Sequence, residues 1–160
     1  MLAIIIMGSP GDKPFGQRIA RAIEGFGIPW KLRVASAHKV PGHLLDMLDT
    51  YEADPHHKVY ITVAGRSNAL SGMVDARVSA PVIACPPYSE KFAGADLLSS
   101  LRTPSGVAPA VVLEPENAAL LAAKILALAD SDLEDRVKAA QENQRLRLLD
   151  ADTQIRAGAR

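Results

Sequence analysis

Leu2-Ala3-Ile4-Ile5-Ile6-Met7 runs directly into Gly8-Ser9-Pro10-Gly11-Asp12. The six apolar residues show no alternation of polarity. A strand with one wet face alternates, whereas a strand covered on both faces does not, and such strands belong to parallel sheets flanked by helices. The sequence that follows repeats this arrangement. Lys13 to Phe26 has Phe15, Ile19, Ala22, Ile23 and Phe26 at helical spacing, and Gly27 suits a C-terminal cap. Trp30 to Ala35 reads as a second strand, and Pro41 to Tyr51 as a second helix with proline in its first turn. Lys58 to Ala64 is a β-branched third strand, Ser67 to Val78 a helix weakened by Gly72, and Pro81 to Cys85 a short fourth strand. Tyr88 to Ala95 reads as a loop and Asp96 to Leu101 as one or two helical turns. Val107 to Leu113 reads as a fifth strand and Pro115 to Ala129 as a helix. Alternation of this kind predicts an α/β fold, a three-layer flavodoxin-like doubly wound parallel sheet with a long C-terminal helix.

That last helix spans Ser131 to about Ala157 and is highly charged. Ser131 and Glu134 have capping-box spacing. Leu133, Val137, Leu146, Leu148, Leu149 and Ile155 need a surface, while the sheet faces are already served by other helices. The expected organisation is an α/β domain over residues 1–130 and a helical extension over 131–160, which is either a solvated, partly frayed helix or, as its leucines favour, one that packs on another subunit.

At 160 residues the chain holds one core and buries roughly 70% of its unfolded surface. Lys plus Arg and Asp plus Glu each number 18, so no basic field favours nucleic acid or an anionic membrane. The single cysteine, Cys85, excludes an intrachain disulfide and a Cys-rich metal site. The apolar start lacks the positive flank and length of a signal peptide, and no stretch is long enough to span a bilayer. A cytoplasmic protein is expected.

Ligands of such sheets gather at the carboxyl ends of the strands. Gly8-Ser9-Pro10-Gly11-Asp12 allows close backbone approach before a helix, which suits phosphate, although such turns also occur with no ligand. Asp12 suits either a helix cap or ribose hydroxyls. Ser36-Ala37-His38-Lys39 sets a titratable imidazole, ordinarily of pKa about 6.5, beside a cation. Gly65-Arg66-Ser67-Asn68 places an arginine fork after a buried strand, fit for phosphate or carboxylate, or for a nearby protein carboxylate. Together the three loops describe a site for an anionic, phosphorylated small molecule with one histidine for proton transfer. His56 and His57 fall in a polar turn at the opposite edge with no third metal ligand. His43 sits on a helix surface, and Cys85 reads as a small core residue. No Walker A or dinucleotide fingerprint is present.

The ordered set Met7-Gly8-Ser9 with Asp12, Ser36-Ala37-His38-Lys39, Ala64-Gly65-Arg66-Ser67-Asn68, Cys85-Pro86-Pro87, Ser99-Ser100-Leu101-Arg102 with Pro104-Ser105-Gly106, and Asn117-Ala118-Ala119 resembles the PurE family, over about residues 2 to 130. Within it the chain resembles the class II form, aminoimidazole ribonucleotide (AIR) carboxylase. The class I form, the N5-carboxy-AIR mutase, has arginine where this chain has Lys39, and a longer third loop containing a histidine. Gly11 stands where the family usually has a second serine, which leaves the Gly11 backbone amide to contact phosphate.

The resemblance implies carboxylation of AIR by CO2, with His38 removing the ring proton. It implies that backbone donors near Ser36 and Gly65, with Ser67, hold CO2, and that Lys39, Arg66 and Ser9 hold phosphate. Asp12 would hold ribose hydroxyls or the ring amine, and Gly8, Gly11 and Ala37 complete the substrate-binding set. No metal or other cofactor is implied. An octamer is, with the tail helix and Ser99 to Gly106 completing a neighbour's site. The alternatives are the class I mutase and a PurE-like nucleotide-binding module without catalysis.

Overall fold

The computed structural model describes residues 1–158. Five parallel strands form one sheet in the order β2-β1-β3-β4-β5, the doubly wound order of flavodoxin-like folds. They are β1 (Leu2–Met7), β2 (Trp30–Val34), β3 (Lys58–Val63), β4 (Val82–Ala84) and β5 (Ala110–Val111). The helices are α1 (Lys13–Gly25), α2 (Pro41–Glu52), α3 (Ala69–Asp75), α4 (Leu98–Leu101), α5 (Pro115–Ala127) and α6 (Ser131–Gly158).

The period-two geometry of a strand sends alternate residues of β1 to opposite faces. Ala3, Ile5 and Met7 join a core with Ile19 and Ile23 of α1 and the alanines of α5. Ile4 and Ile6 join a second core with Leu44 and Leu48 of α2 and Leu70 and Val74 of α3. Both faces being apolar is why the β1 sequence shows no alternation. Helix α1 seats closely here: a Cβ added at Gly16 would lie 2.7 Å from Met7 Sδ. Gly27, at φ +70°, ends that helix as expected, its N–H donating to the Glu24 carbonyl at 2.8 Å.

Three elements differ from expectation for local reasons. Helix α3 begins at Ala69, not Ser67, because Asn68 is its N-cap: Asn68 Oδ1 accepts from the Ser71 N–H at 3.2 Å. Helix α6 is capped by Asp130, not Ser131, with Asp130 Oδ1 accepting from the Leu133 N–H at 2.7 Å. Strand β5 is shorter than Val107 to Leu113. The Ala108 N–H donates to the Asp75 carboxylate at 2.7 Å and the Val107 carbonyl accepts from Thr103 Oγ1 at 2.8 Å. Pro109 has no N–H, so sheet pairing starts only at Ala110.

Helix α6 is anchored at its start. Leu133 and Val137 are buried in the α1 and α5 core, and Arg136 Nε donates to the Phe26 carbonyl at 2.9 Å. Farther along, Leu146, Leu148, Leu149 and Ile155 are exposed. Among the described residues no helix is long and apolar enough to cross a membrane.

A polar tie closes the amino end of the sheet. The Tyr60 ring is fully buried, and its hydroxyl donates to Glu52 Oε1 at 2.9 Å. Glu52 Oε2 accepts from both the backbone and the hydroxyl of Ser79. Burial pushes the Glu52 carboxyl up, but these bonds, from Ser79 and Tyr60, and the Lys58 charge outweigh it and hold the group below its ordinary value. Its stabilising contribution is therefore complete above the carboxylate range and is lost as pH falls through the folded value. Glu52→Ala should cost about 1–3 kcal/mol at neutral pH by leaving the tyrosine hydroxyl unpaired. Urea midpoints at pH 7 and pH 4 should show the gap to wild type narrowing on acidification; a gap that widens would refute this.

Candidate functional site

Strands β2, β1 and β3 are neighbours, so the loops that follow them begin side by side. Backbone bonds tie their roots: the Ala35 N–H donates to the Met7 carbonyl at 2.9 Å and the Gly8 N–H to the Val63 carbonyl at 2.8 Å. Gly8 sits at a close approach of the two loops: an added Cβ would lie 3.3 Å from the Ala64 Cβ, closer than ordinary contact. A cleft of about 520 Å³ opens above these roots.

The cleft is lined by Gly8, Ser9 and Asp12 of the first loop, by Ser36, Ala37, His38 and Lys39 of the second, and by Gly65, Arg66 and Ser67 of the third. Of the catalytic and substrate-binding residues that the resemblance implies, only Gly11 lies off the wall. Its amide is also engaged, donating to Ser9 Oγ at 3.2 Å, which corrects the expectation that it faces a ligand. Ser36 Oγ plays the same part in the second loop, accepting from the Lys39 N–H at 3.3 Å. Each serine thus shapes its own turn with a lone pair and keeps its proton for a ligand.

His38 and Lys39 are exposed on a turn closed by the Val40 N–H on the Ser36 carbonyl at 3.0 Å. Arg66 holds a left-handed backbone, φ +58°, unusual for any residue but glycine. Neither Lys39 nor Arg66 forms an ion pair among the described residues. The Arg66 guanidinium is thus not serving a neighbouring carboxylate, and both cations line the cleft with their charge uncommitted. Asp12 is half-buried; desolvation raises its carboxyl above the ordinary value, opposed by a hydrogen bond from the Ser9 backbone. A carboxyl so placed gains from any hydroxyl or amine that donates to it.

Sequence reasoning missed part of the wall. Pro87, Tyr88 and Ser89 also line the cleft, arriving from the end of β4. Their signal was Pro86-Pro87, which stiffens the exit of a strand one place from β3. A second cavity of about 340 Å³ adjoins the cleft through Gly65, Pro87 and Tyr88. Its one cation, Arg18, is occupied by Glu116 in a two-pronged contact at 3.0 and 3.2 Å.

The family model described as AIR carboxylase matches residues 2–147. The chain belongs to that family. A relative from Treponema denticola, phosphoribosylaminoimidazole carboxylase, is 50% identical over 155 residues, 97% of this chain and 98% of its own. One of the same name from Archaeoglobus fulgidus is 53% identical over 156 residues, 98% of this chain and 86% of its own. The bifunctional phosphoribosylaminoimidazole carboxylase/phosphoribosylaminoimidazole succinocarboxamide synthetase of Rattus norvegicus is 39% identical over 153 residues, 96% of this chain but 36% of its own length. The crystal structure of Treponema denticola PurE superposes with a TM-score of 0.94 at 51% identity, covering 96% of this chain and 97% of that one.

The other titratable residues of note do not join the site. His56 lies at the opposite end of the sheet, bound through its ring and amide to Asp54. No group of three or more His, Cys, Asp or Glu able to hold a metal ion occurs among the described residues. Cys85 is fully buried, its thiol 3.7 Å from the Leu113 carbonyl; burial, then Glu114 and Glu116, push it up to about 12. Since the thiolate is the reactive form, native protein should resist iodoacetamide at pH 8 and alkylate only when unfolded. Rapid native modification, read by mass spectrometry, would contradict the burial of Cys85.

Proposed function

We propose that this chain carboxylates AIR with CO2 to 4-carboxy-AIR in purine biosynthesis, reversibly, at the cleft described above. The observation that carries the reading is the meeting of one imidazole, His38, with two uncommitted cations, Lys39 and Arg66, in a single cleft. The carboxylase names of relatives covered over nearly their whole length support it.

The chemistry balances without a cofactor. The electron-rich ring carbon of AIR attacks the carbon of CO2, forming one C–C bond and a carboxylate. The adduct carries an extra proton on that ring carbon and has lost aromaticity. His38 takes the proton, the C–H electrons return to the ring, and aromaticity is restored; the reverse direction returns the proton from the imidazolium. General base assistance of this kind is worth roughly 10²- to 10⁴-fold. Ser36, Ser67 and the amides around Gly65 stabilise the new carboxylate, as preplaced dipoles do for developing charge. Lys39, Arg66 and Ser9 hold the phosphate, and Asp12 takes ribose hydroxyls or the ring amine. The exposed leucines of α6 pack on neighbouring subunits of a homo-octamer, so residues 131–160 serve assembly while 1–130 hold the chemistry. The reading places the enzyme in the cytoplasm.

Three outcomes check this. In AIR plus bicarbonate, with EDTA and without ATP, wild type should form 4-carboxy-AIR. His38→Asn should lose at least about a hundredfold in rate while AIR still binds. Turnover of N5-carboxy-AIR alone, with none from AIR and bicarbonate, would sink the carboxylase reading. Near-wild-type turnover by the histidine variant would remove His38 from it. Lys39→Ala should weaken AIR binding by about 1.5–3 kcal/mol, measured by calorimetry; unchanged affinity would place the phosphate elsewhere.

A further inference from the structure

The left-handed backbone at Arg66 is held from outside the cleft's three loops. A residue with a Cβ adopts φ +58° only where its surroundings over-determine it. Both backbone polar groups of Arg66 are engaged by the segment just before and within α4. Its N–H donates to Asp96 Oδ2 at 3.0 Å, a charge-assisted bond. Its carbonyl lies 3.0 Å from Ser99 Oγ, whose one proton sits between that oxygen and the Asp96 carbonyl at 2.7 Å. Ser99 Oγ also accepts from the Asn68 N–H at 3.0 Å, and Asn68 Nδ2 donates to Ser100 Oγ at 2.9 Å. These bonds join residues about thirty positions apart and converge on one peptide. Asp96 is not on the wall of the catalytic cleft, while Arg66 is.

We propose that Asp96 and Ser99 are positioning residues for the phosphate-binding arginine. They lock the Arg66 backbone in its left-handed state, so the guanidinium is presented to the anion before substrate arrives. This inference rests on the proposed role of Arg66 in holding phosphate. Without the clamp the residue relaxes to an ordinary negative φ, which swings the side chain away and makes binding select a minor conformer. The loss falls on affinity, because phosphate is held equally before and during the reaction. Asn at position 96 keeps an acceptor oxygen in place for the Arg66 N–H.

The test is a cycle in the full-length protein. Asp96→Ala should raise KM for AIR about tenfold with kcat within about threefold of wild type. Asp96→Asn should restore KM to within about threefold. Added to Arg66→Ala, Asp96→Ala should bring no further loss, since it acts through a side chain already gone. Ser99→Ala should move KM in the same direction and with the same dependence on Arg66, which serves if Asp96→Ala does not fold. A wild-type KM in both clamp variants, or a tenfold loss that persists in the Arg66→Ala background, would overturn the proposal. Binding of ribose 5-phosphate to the same variants, by calorimetry, separates the two readings. If wild type fails to carboxylate AIR yet its affinity for ribose 5-phosphate depends on Asp96 only when Arg66 is present, the reaction is misassigned and the clamp stands.

Discussion

Everything in the molecule depends on β1 being buried on both faces. Ile4, Ile5 and Ile6 are each fully inaccessible, and their side chains go alternately to two separate cores. At roughly 1.5–3 kcal/mol for each fully buried large side chain, this strand alone is a large share of the drive to bring helices to both sides. Helices on both faces require crossover connections, and those make the sheet parallel. A parallel sheet puts all carboxyl ends at one edge. The position of the candidate cleft follows from that, because β1 lies between β2 and β3 and the three loops have nowhere else to go.

At that edge the polar side chains divide the work of shaping and binding. Ser9 and Ser36 each accept one backbone N–H from their own loop. Asn68 caps α3 through its oxygen and reaches Ser100 through its nitrogen. Asp96 and Ser99 hold the peptide of Arg66. The loops are therefore built by hydrogen bonds that leave the side chains of His38, Lys39 and Arg66 without a partner among the described residues. A site meant to hold a highly charged small molecule benefits from that arrangement, since less has to be reorganised on binding.

Much of this was legible in the sequence, and the exceptions have physical reasons. The strand run Leu2 to Met7 and the helix spacing of Lys13 to Phe26 are properties of burial, which periodicity reports directly. The three loops could be read as one site because parallel topology leaves their ends together. The cap of α6 differs from expectation because Asp130 and Ser131 are both good caps, and only the folded geometry, with the Leu133 N–H on Asp130 Oδ1, decides between them. The length of β5 was overestimated because Val107 and Ala108 are apolar yet give their backbone groups to Thr103 and Asp75. Neither the engagement of Gly11 by Ser9 nor the hold of Asp96 on Arg66 leaves a pattern in sequence. The second joins residues brought together only by the fold.

The central claim is that one imidazole works at a ring carbon whose phosphate is anchored by the neighbouring loops. A crystal structure with AIR bound tests it most directly. The account predicts the reacting ring carbon about 3–3.5 Å from a His38 ring nitrogen, with the phosphate against Lys39, Arg66 and Ser9. Phosphate bound away from those three residues, or an imidazole turned from the ring carbon, would contradict it.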